Sequence, residues 1–521
     1  KTDAQGKYAL PVDLSGDLSE TLQYVFVSTP KNWSAPLTTK GDIKKGPVFW
    51  EWLKDHPKSG GQITGVDFTL KPISNPDRFT LFIFGDPQPR TSGTSDYTNN
   101  SAFRAVDICE DMYKDMKEYA QTKTGPVYAI GLGDIVHRKV SYLPTYRQNM
   151  ADAGLVCYNI IGNHDQANES GQAVIGMTDK EASKAFEKRM GPTNYSFNLG
   201  NMHFLMIDNM MAQDGKESDN CLTGLTDEIW TFVQNDLALV PSSATIMLCA
   251  HSPMMRQPGQ SGDRTGPHLD DLRKLLGRFE KVYAWAGHTH SSFNFVDKSN
   301  PKIETHTLGR VTGALWTNEY LCENGTPRGY MVVDCQDGNI KNWKFKPIFW
   351  QQSNHLYKGG DKEPNYNYRD WTYDSNGRAI LKPELGGGNL TDNYQMQVFK
   401  PGVYENGWLY VNIFLWDELW KKPRLTIGNE VSAMTLVTGY SFADREMKDF
   451  YARIWPGLAG QWFDPNKKAY TYVGPYPDTQ KTNCTSMFKV FVNDPGDIGE
   501  GQVSVEDRFG ITHYSATIRW K

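Results

Sequence analysis

The sequence has no C-x-x-C pair. Its seven cysteines, at positions 109, 157, 221, 249, 322, 335 and 484, are scattered along 521 residues, which excludes a zinc ribbon and a dense disulfide scaffold; an odd number leaves at least one thiol free. A run of ~18 apolar residues, the length that crosses a bilayer, is also missing. The richest stretch, 409–416, is interrupted by Asn412 and is too short to span. Nor does charge of one sign dominate: with 55 Lys+Arg against 60 Asp+Glu, a formal charge of −5 and a pI near 6.2, there is no broad basic surface for gripping DNA. A small phosphate ester is still admissible as a ligand. No Met and no apolar leader precede Lys1, so any targeting peptide is expected to have been removed or to lie outside this sequence.

What is present has ordinary globular proportions. Hydrophobic residues at 39% and charged residues at 22% exclude disordered, collagen-like and coiled-coil classes. At roughly 100–200 residues per domain, the length predicts two to four domains. The histidines are unevenly placed: eight of the eleven (137, 164, 203, 251, 268, 288, 290 and 306) fall between residues 134 and 306.

Three textures follow one another. Residues 1–72 read as β structure, with a polar turn at 3–6 and a strand at 24–27 ended before Pro30. From 79 onward, apolar strands alternate with helical patterns: strands at 79–84, 127–132, 156–161, 245–250 and 282–286, a hairpin at 195–207 turning on Gly200-Asn201, and helices near 103–119, 225–239 and 268–279. Beyond about 345 helical spacing thins out, while Gly386-Gly387-Gly388, Pro401-Gly402, Pro456-Gly457 and Pro495-Gly496 punctuate short aromatic-rich strands, and 503–520 alternates like a closing hairpin. The expected division is 1–72, 73–344 and 345–521, the outer two β-rich and the last a sandwich. Loops 87–102, 137–150, 165–194 and 252–267 are expected to set substrate choice.

Five strands of the middle unit end in polar, ligand-type residues. They are Asp86 and Gln88; Asp134; Asn163, His164 and Asp165; His251; and His288 with His290. A single Asp after a strand is ordinarily a helix N-cap and a single His a packing residue, but five such ends in order place carboxylate, amide and imidazole groups where an α/β sheet carries its site. That mixed N/O set suits a pair of divalent cations, one carboxylate bridging both.

In this order the pieces Asp86-Pro87-Gln88, Gly133-Asp134, Gly162-Asn163-His164-Asp165, His251 and Gly287-His288-Thr289-His290 resemble the calcineurin-like metallophosphoesterase family, over about residues 76–300. Weaker similarity on either side is to secreted bacterial members with β domains at both ends. The turn Thr2-Asp3 to Gly6-Lys7-Tyr8 resembles the edge of carboxypeptidase-regulatory-like β-sandwich modules, here truncated, with a plain surface hairpin as the alternative. Residues 313–316 and 325–330 look like the junction into the C-terminal module.

The resemblance implies a four-layer α/β/β/α sandwich flanked by two smaller β-rich domains, and metal-dependent hydrolysis of a phosphomonoester or phosphodiester by a metal-bridging hydroxide attacking phosphorus in line. It implies two divalent ions (Mn, Fe, Zn or Mg), one held by Asp86, Gln88, Asp134 and His290, the other by Asp134, Asn163, His251 and His288. His164 would serve the leaving oxygen, oriented by Asp165. Gln88 departs from the usual His, a weaker neutral ligand that favours harder ions such as Mn²⁺ or Mg²⁺, or a second-shell hydrogen bond in place of ligation. His137 and Arg138 are candidates for substrate phosphate, Arg90 and His306 lesser ones, and His203 a packing or supporting residue. Two rival readings are a surface adhesion protein presenting the C-terminal module and a nuclease on the same core; the mild acidity argues against the second. A small-molecule, glycan- or lipid-linked phosphoester is expected as substrate, with no nucleic acid, possible surface association through the C-terminal domain, and export to the periplasm or cell surface.

Overall fold

The computed structural model describes residues 2–12, 14, 18, 23–89, 101–255, 264–296, 300–313 and 321–348. Beyond 348 it describes 371–373, 379–381, 388–390, 393–437, 462–464, 469–471, 484–492 and 499–520. Arg90, most of loop 252–267, part of the 313–316 junction and much of the last unit lie outside the described residues.

Elements alternate in the middle of the chain: β1 (Arg78–Phe84), α1 (Ser101–Ala120), β2 (Val127–Gly131), α2 (Leu143–Asp152), β3 (Val156–Asn159), α3 (Asp179–Met190), β4 (Tyr195–Leu199), β5 (Met202–Ile207), α4 (Asp227–Leu237), β6 (Thr245–Ala250), α5 (Leu269–Leu276), β7 (Lys281–Ala286), β8 (Phe293–Val296), β9 (Ile303–Thr307), β10 (Gly329–Gln336) and β11 (Asn339–Pro347). They form two mixed sheets. The first has strand order β3-β2-β1-β10-β11, parallel from β3 to β1 and antiparallel beyond. The second has order β4-β5-β6-β7-β9-β8, parallel from β5 through β9 and antiparallel at both edges.

Side-chain alternation explains why these two sheets must stack. Leu81 and Ile83 of β1, with Tyr128 and Ile130 of β2, point into one core shared with Phe204, Met206, Met247, Cys249 and Trp285 of the second sheet. The intervening residues, Phe82, Phe84 and Ala129, face the other way onto Met112 and Met116 of α1, Tyr146 of α2 and Phe186 of α3. The second sheet does the same: Leu205, Ile207, Ile246, Leu248 and Val282 meet Val233 and Leu237 of α4 and Leu272 and Leu276 of α5. A strand apolar on both faces is stable only when covered on both, so the order helix, sheet, sheet, helix follows from the period-2 pattern. The result is the expected α/β/β/α sandwich.

Helices α2 and α3 occupy stretches that the sequence suggested were loops. In α3, Thr178 and Glu181 form a reciprocal capping box, and Ala182, Ala185, Phe186 and Met190 line the buried face. The N-terminal stretch adds Phe49, Trp50 and Trp52 to the core between the sheets. Arg147 of α2 is buried against it, donating to the carbonyls of Lys44 and Pro47 at 2.8 Å and lying over the Trp50 ring. Past 390, two further small sheets enclose a core of their own, including Leu409, Val411, Leu425, Val503 and Val505. The tail folds back as expected, Glu500–Glu506 pairing with Thr512–Tyr514. No disulfide joins any of the seven cysteines, and no helix among the described residues is long and apolar enough to cross a membrane.

Buried charge joins this later β structure to the sandwich. Glu304 of β9, 1% exposed, pairs with Lys281 and with Arg508, and Arg508 reaches Asp417 at 2.9 Å. Burial alone would raise the Glu304 carboxyl, but His306, Arg508 and Lys281 together hold it well below its ordinary range. Replacing Arg508 with Met leaves two buried carboxylates without their shared partner. Urea denaturation should show a loss of about 3–5 kcal/mol. Lys421→Met, which breaks only a largely exposed pair with Glu506, should cost less than about 1 kcal/mol.

Candidate metal centre

The parallel strands of both sheets end on one side of the sandwich, and their C-terminal turns interlock by backbone hydrogen bonds. Asp86 N donates to Gly133 O, Gln88 N to Asp134 O, and Gly287 N to His251 O. Asp86, Gln88, Asp134, His288 and His290 all hold positive φ, between 46° and 68°, in a region that non-glycine residues seldom occupy. Each such turn costs on the order of 1–3 kcal/mol and re-aims a side chain inward just past the strand end. Two motif glycines are needed for a different reason, close approach: a Cβ on Gly162 would overlap Asp134, and one on Gly287 would overlap the Asp86 carboxylate.

The side chains so aimed converge. Asp86, Asp134 and His290 present ligand atoms within 4.8 Å of one another. His251 Nε2 lies 3.2 Å from both Asp134 Oδ1 and Asn163 Oδ1, and His288 Nδ1 lies 3.1 Å from Asn163 Oδ1 and 3.3 Å from His251 Nε2. Three atoms at this place are acceptors set by their surroundings. His251 Nδ1 sits 2.7 Å from the Leu132 carbonyl, which places its proton there and leaves Nε2 as a lone pair. Asn163 Nδ2 donates to Asp219 O at 3.0 Å, which turns Oδ1 inward. Asp134 Oδ2, buried, has no hydrogen-bond partner among the described residues. Acceptors facing acceptors in a buried space require a cation or an extra proton between them.

Without a cation, the protons are displaced strongly. Burial disfavours charge on His251, yet the Asp134 carboxylate beside it outweighs this and lifts its pKa to about 10. His288 is driven down to about 3 by burial and by the neighbouring charge of His251. Burial pushes Asp134 up, but His251 and His164 overcome it and hold the carboxylate far below its usual range, whereas Asp86 is raised, chiefly by burial. This donor set, two carboxylates, an amide oxygen and imidazole nitrogens, fits divalent cations.

Gln88 is buried at the same place, its Nε2 3.4 Å from His137 Nδ1, and the His137 ring packs at a tilt against His164 with ring centroids 4.3 Å apart. One assignment needs correction. Asp165 does not face His164: its carboxylate accepts from the amides of Ile135, Val136 and Gly162, tying the Asp134 turn to the Asn163 turn. Asp219 takes the expected place, its Oδ2 3.4 Å from His164 Nδ1. Arg138 is engaged by the same carboxylate at 2.6 Å and by Glu217 at 3.0 Å, so its charge is already neutralised at the rim. His203 pairs with Asp236 and Asn198, and His306 with Glu304 and Asn294, both away from the centre.

Arg264 is a further cation that the motifs do not mark. It donates to Ser252 Oγ at 2.7 Å, next to His251, and its charge contributes to lowering His288. Neither Asp219 nor Arg264 belongs to a periodic pattern or motif, and only the folded chain brings them to the centre.

No family model and no curated protein matches the chain. Among solved structures it is similar to a dimetal phosphatase from Danio rerio, at 12% identity over 52% of this chain and 96% of that one, with a TM-score of 0.38. A sulfate thiohydrolase SoxB from Thermus thermophilus matches at 12% identity over 54% of this chain and 58% of that one (TM-score 0.28). A 5′-nucleotidase from Candida albicans matches at 11% over 53% of each (TM-score 0.30). The chain thus spans little more than half of the latter two.

Asp165→Ala should therefore act on stability, lowering unfolding free energy by about 3 kcal/mol or more through three lost charge-assisted amide bonds. Asp219→Ala should leave unfolding much closer to wild type, and parallel urea titrations distinguish the two. Two stacked mixed sheets, helices on both outer faces and the ordered Asp86, Asp134, Asn163, His251, His288 and His290 turns on one edge make residues 78–347 a four-layer α/β/β/α sandwich with a polar cluster at its strand ends.

Proposed function

We propose that the protein is a metal-dependent hydrolase of a small phosphoester. The observation that carries this reading is the buried convergence of Asp134, Asn163, His251 and His288 through acceptor atoms, with Asp86 and His290 adjoining. Asp86, Gln88, Asp134 and His290 would hold one divalent ion, and Asp134, Asn163, His251 and His288 the other. When bound, such a pair supplies an activated water at neutral pH and neutralises phosphoryl charge.

The chain's own groups account for the rest. His164 stands beside the Asp134 turn, its backbone N–H donating to Asp134 Oδ1 at 2.9 Å and its side chain 25% exposed. Burial works against an imidazolium there, but Asp134 and Asp219 outweigh it and raise the pKa above its ordinary value. The ring therefore keeps a proton to give to a departing oxygen. Arg264 is placed to bind phosphoryl oxygens, whereas Arg138, held by two carboxylates, acts on Asp219 and so on the orientation of His164. The net charge of −5 is compatible with a small anionic substrate because the bound cations would concentrate positive charge at the site.

With Mn²⁺ or Zn²⁺ supplied, the purified protein should hydrolyse p-nitrophenyl phosphate or its bis-aryl diester, and prolonged chelation should abolish this reversibly. Asp134→Asn should remove activity, and His164→Ala should lower it by about 10²–10⁴-fold with the fold intact by circular dichroism. A wild type inactive on both esters with either metal would sink the proposal. The alkaline limb of kcat should follow His164: activity falls as pH rises through its raised pKa, and Asp219→Asn should move that limb to lower pH. Arg264→Ala should raise KM by roughly tenfold or more, the loss of one charge-assisted contact of about 1.5–3 kcal/mol, with a smaller effect on kcat.

A further inference from the structure

A second cavity, of about 500 Å³, lies between the N-terminal strand Tyr24–Phe26 and helices α3 and α4, and none of the metal-centre side chains lines it. Its size is that of a small-molecule site. Four carboxylates, Asp179, Glu187, Asp208 and Glu228, border it against one ammonium, Lys180. Asp208 is only 4% exposed; its Oδ1 accepts from Met210 N at 2.9 Å, but its Oδ2 has no hydrogen-bond partner among the described residues. Glu187 has only a long contact, Oε1 to Thr193 Oγ1 at 3.5 Å. Burial and the like charges nearby push Glu187 up to about 8, and burial, with Asp179, pushes Asp208 up to about 7. Ionising both acids here is costly, since the nearby charges of Lys180 and His251 do not offset burial.

The kind of counter-ion is indicated by spacing and by the rest of the wall. Among the described residues, the only three acidic, His or Cys side chains with ligand atoms within 4.8 Å are those of the Asp86 site, so no three of the carboxylates here are gathered as a bare metal ion would need. Aromatic rings line the same cavity: Phe26 packs edge-on against Phe232 at 6.0 Å, and Tyr24 edge-on against Trp52 at 5.5 Å, which fixes the three lining rings. Ring faces and carboxylates around one cavity suit a cation that carries apolar substituents. We propose that this cavity binds an organic ammonium ion, its charge between Glu187 and Asp208 and its methyl or methylene groups against Tyr24, Phe26 and Phe232.

Isothermal titration of the full chain in chelator separates this from the hydrolytic reading, since the metal centre is then silent. Choline and putrescine serve as probes, with 3,3-dimethyl-1-butanol as the neutral isostere of choline and sodium chloride as the salt control. Saturable binding of at least one cation is expected, with none of the neutral isostere, and at least tenfold weakening in both Asp208→Asn and Glu187→Gln. Phe232→Leu, which removes the ring but keeps an apolar, uncharged side chain, should weaken choline more than sodium chloride changes it. Affinity should rise from about pH 6 to about pH 8.5 as Glu187 and Asp208 ionise. Lys180 and Asp179 from α3, Glu228 from α4, Tyr24 from the N-terminal strand and His251 behind Asp208 share that field. No saturable heat with either cation, equal binding of the isostere, or affinity indifferent to both carboxamide variants would overturn the proposal.

Discussion

Crowded acceptors at one edge of the two sheets are the constraint from which much else in the sandwich follows. Asp134 Oδ1, Asn163 Oδ1, His251 Nε2 and His288 Nδ1 crowd together, and without a cation only a proton taken up by His251 separates them. Such a group of atoms is unstable alone, and the structure spends backbone strain at five positive-φ residues to create it. The surrounding hydrogen bonds enforce it: the Leu132 carbonyl sets the His251 tautomer, the Asp219 carbonyl turns the Asn163 amide, and Asp165 binds two turns together. Positive φ, close-approach glycines and interlocked turns are thus parts of one device for holding positive charge.

The sandwich supplies the rigidity that this device needs. Six of the nine ligand-type residues follow strands of the first sheet and three follow strands of the second, so the two sheets must keep register with each other. A core dense in aromatic and sulfur-bearing side chains, including Tyr158 stacked on Phe197 at 3.8 Å, fills the space between them. The N-terminal tryptophans close one side of that core and the Glu304, Arg508 and Asp417 network clamps the later β structure to the second sheet. A site assembled from two sheets inherits its precision from that packing.

Much of this was legible from local pattern. Strands β1, β2, β6 and β7 and the hairpin of β4 and β5 stand out because each is an apolar run closed by turn residues, and the ligand-type residues stand out because each follows such a run. Helices α2 and α3 were less visible. The Ala182, Ala185, Phe186 and Met190 face of α3 is short and polar-flanked, and a loop over an active site has similar composition. Adjacency in sequence suggests contact between Asp165 and His164, whereas a tight turn points neighbouring side chains in different directions and gives Asp165 to the backbone amides instead.

By itself, then, the sequence determined the alternation of strands and helices, the two-faced burial of the strands and the identity of the residues gathered at their ends, all set by periods of two and 3.6 residues and by local turn chemistry. Tertiary structure alone decided which of those residues touch: that Asp219 serves His164, that Arg264 stands beside His251, that Arg138 is held by two carboxylates, and that Glu187 and Asp208 share a cavity with three rings from elsewhere in the chain. The reason is physical. These contacts join segments far apart along the chain, and no local preference encodes a distance that only the stacking of two sheets fixes.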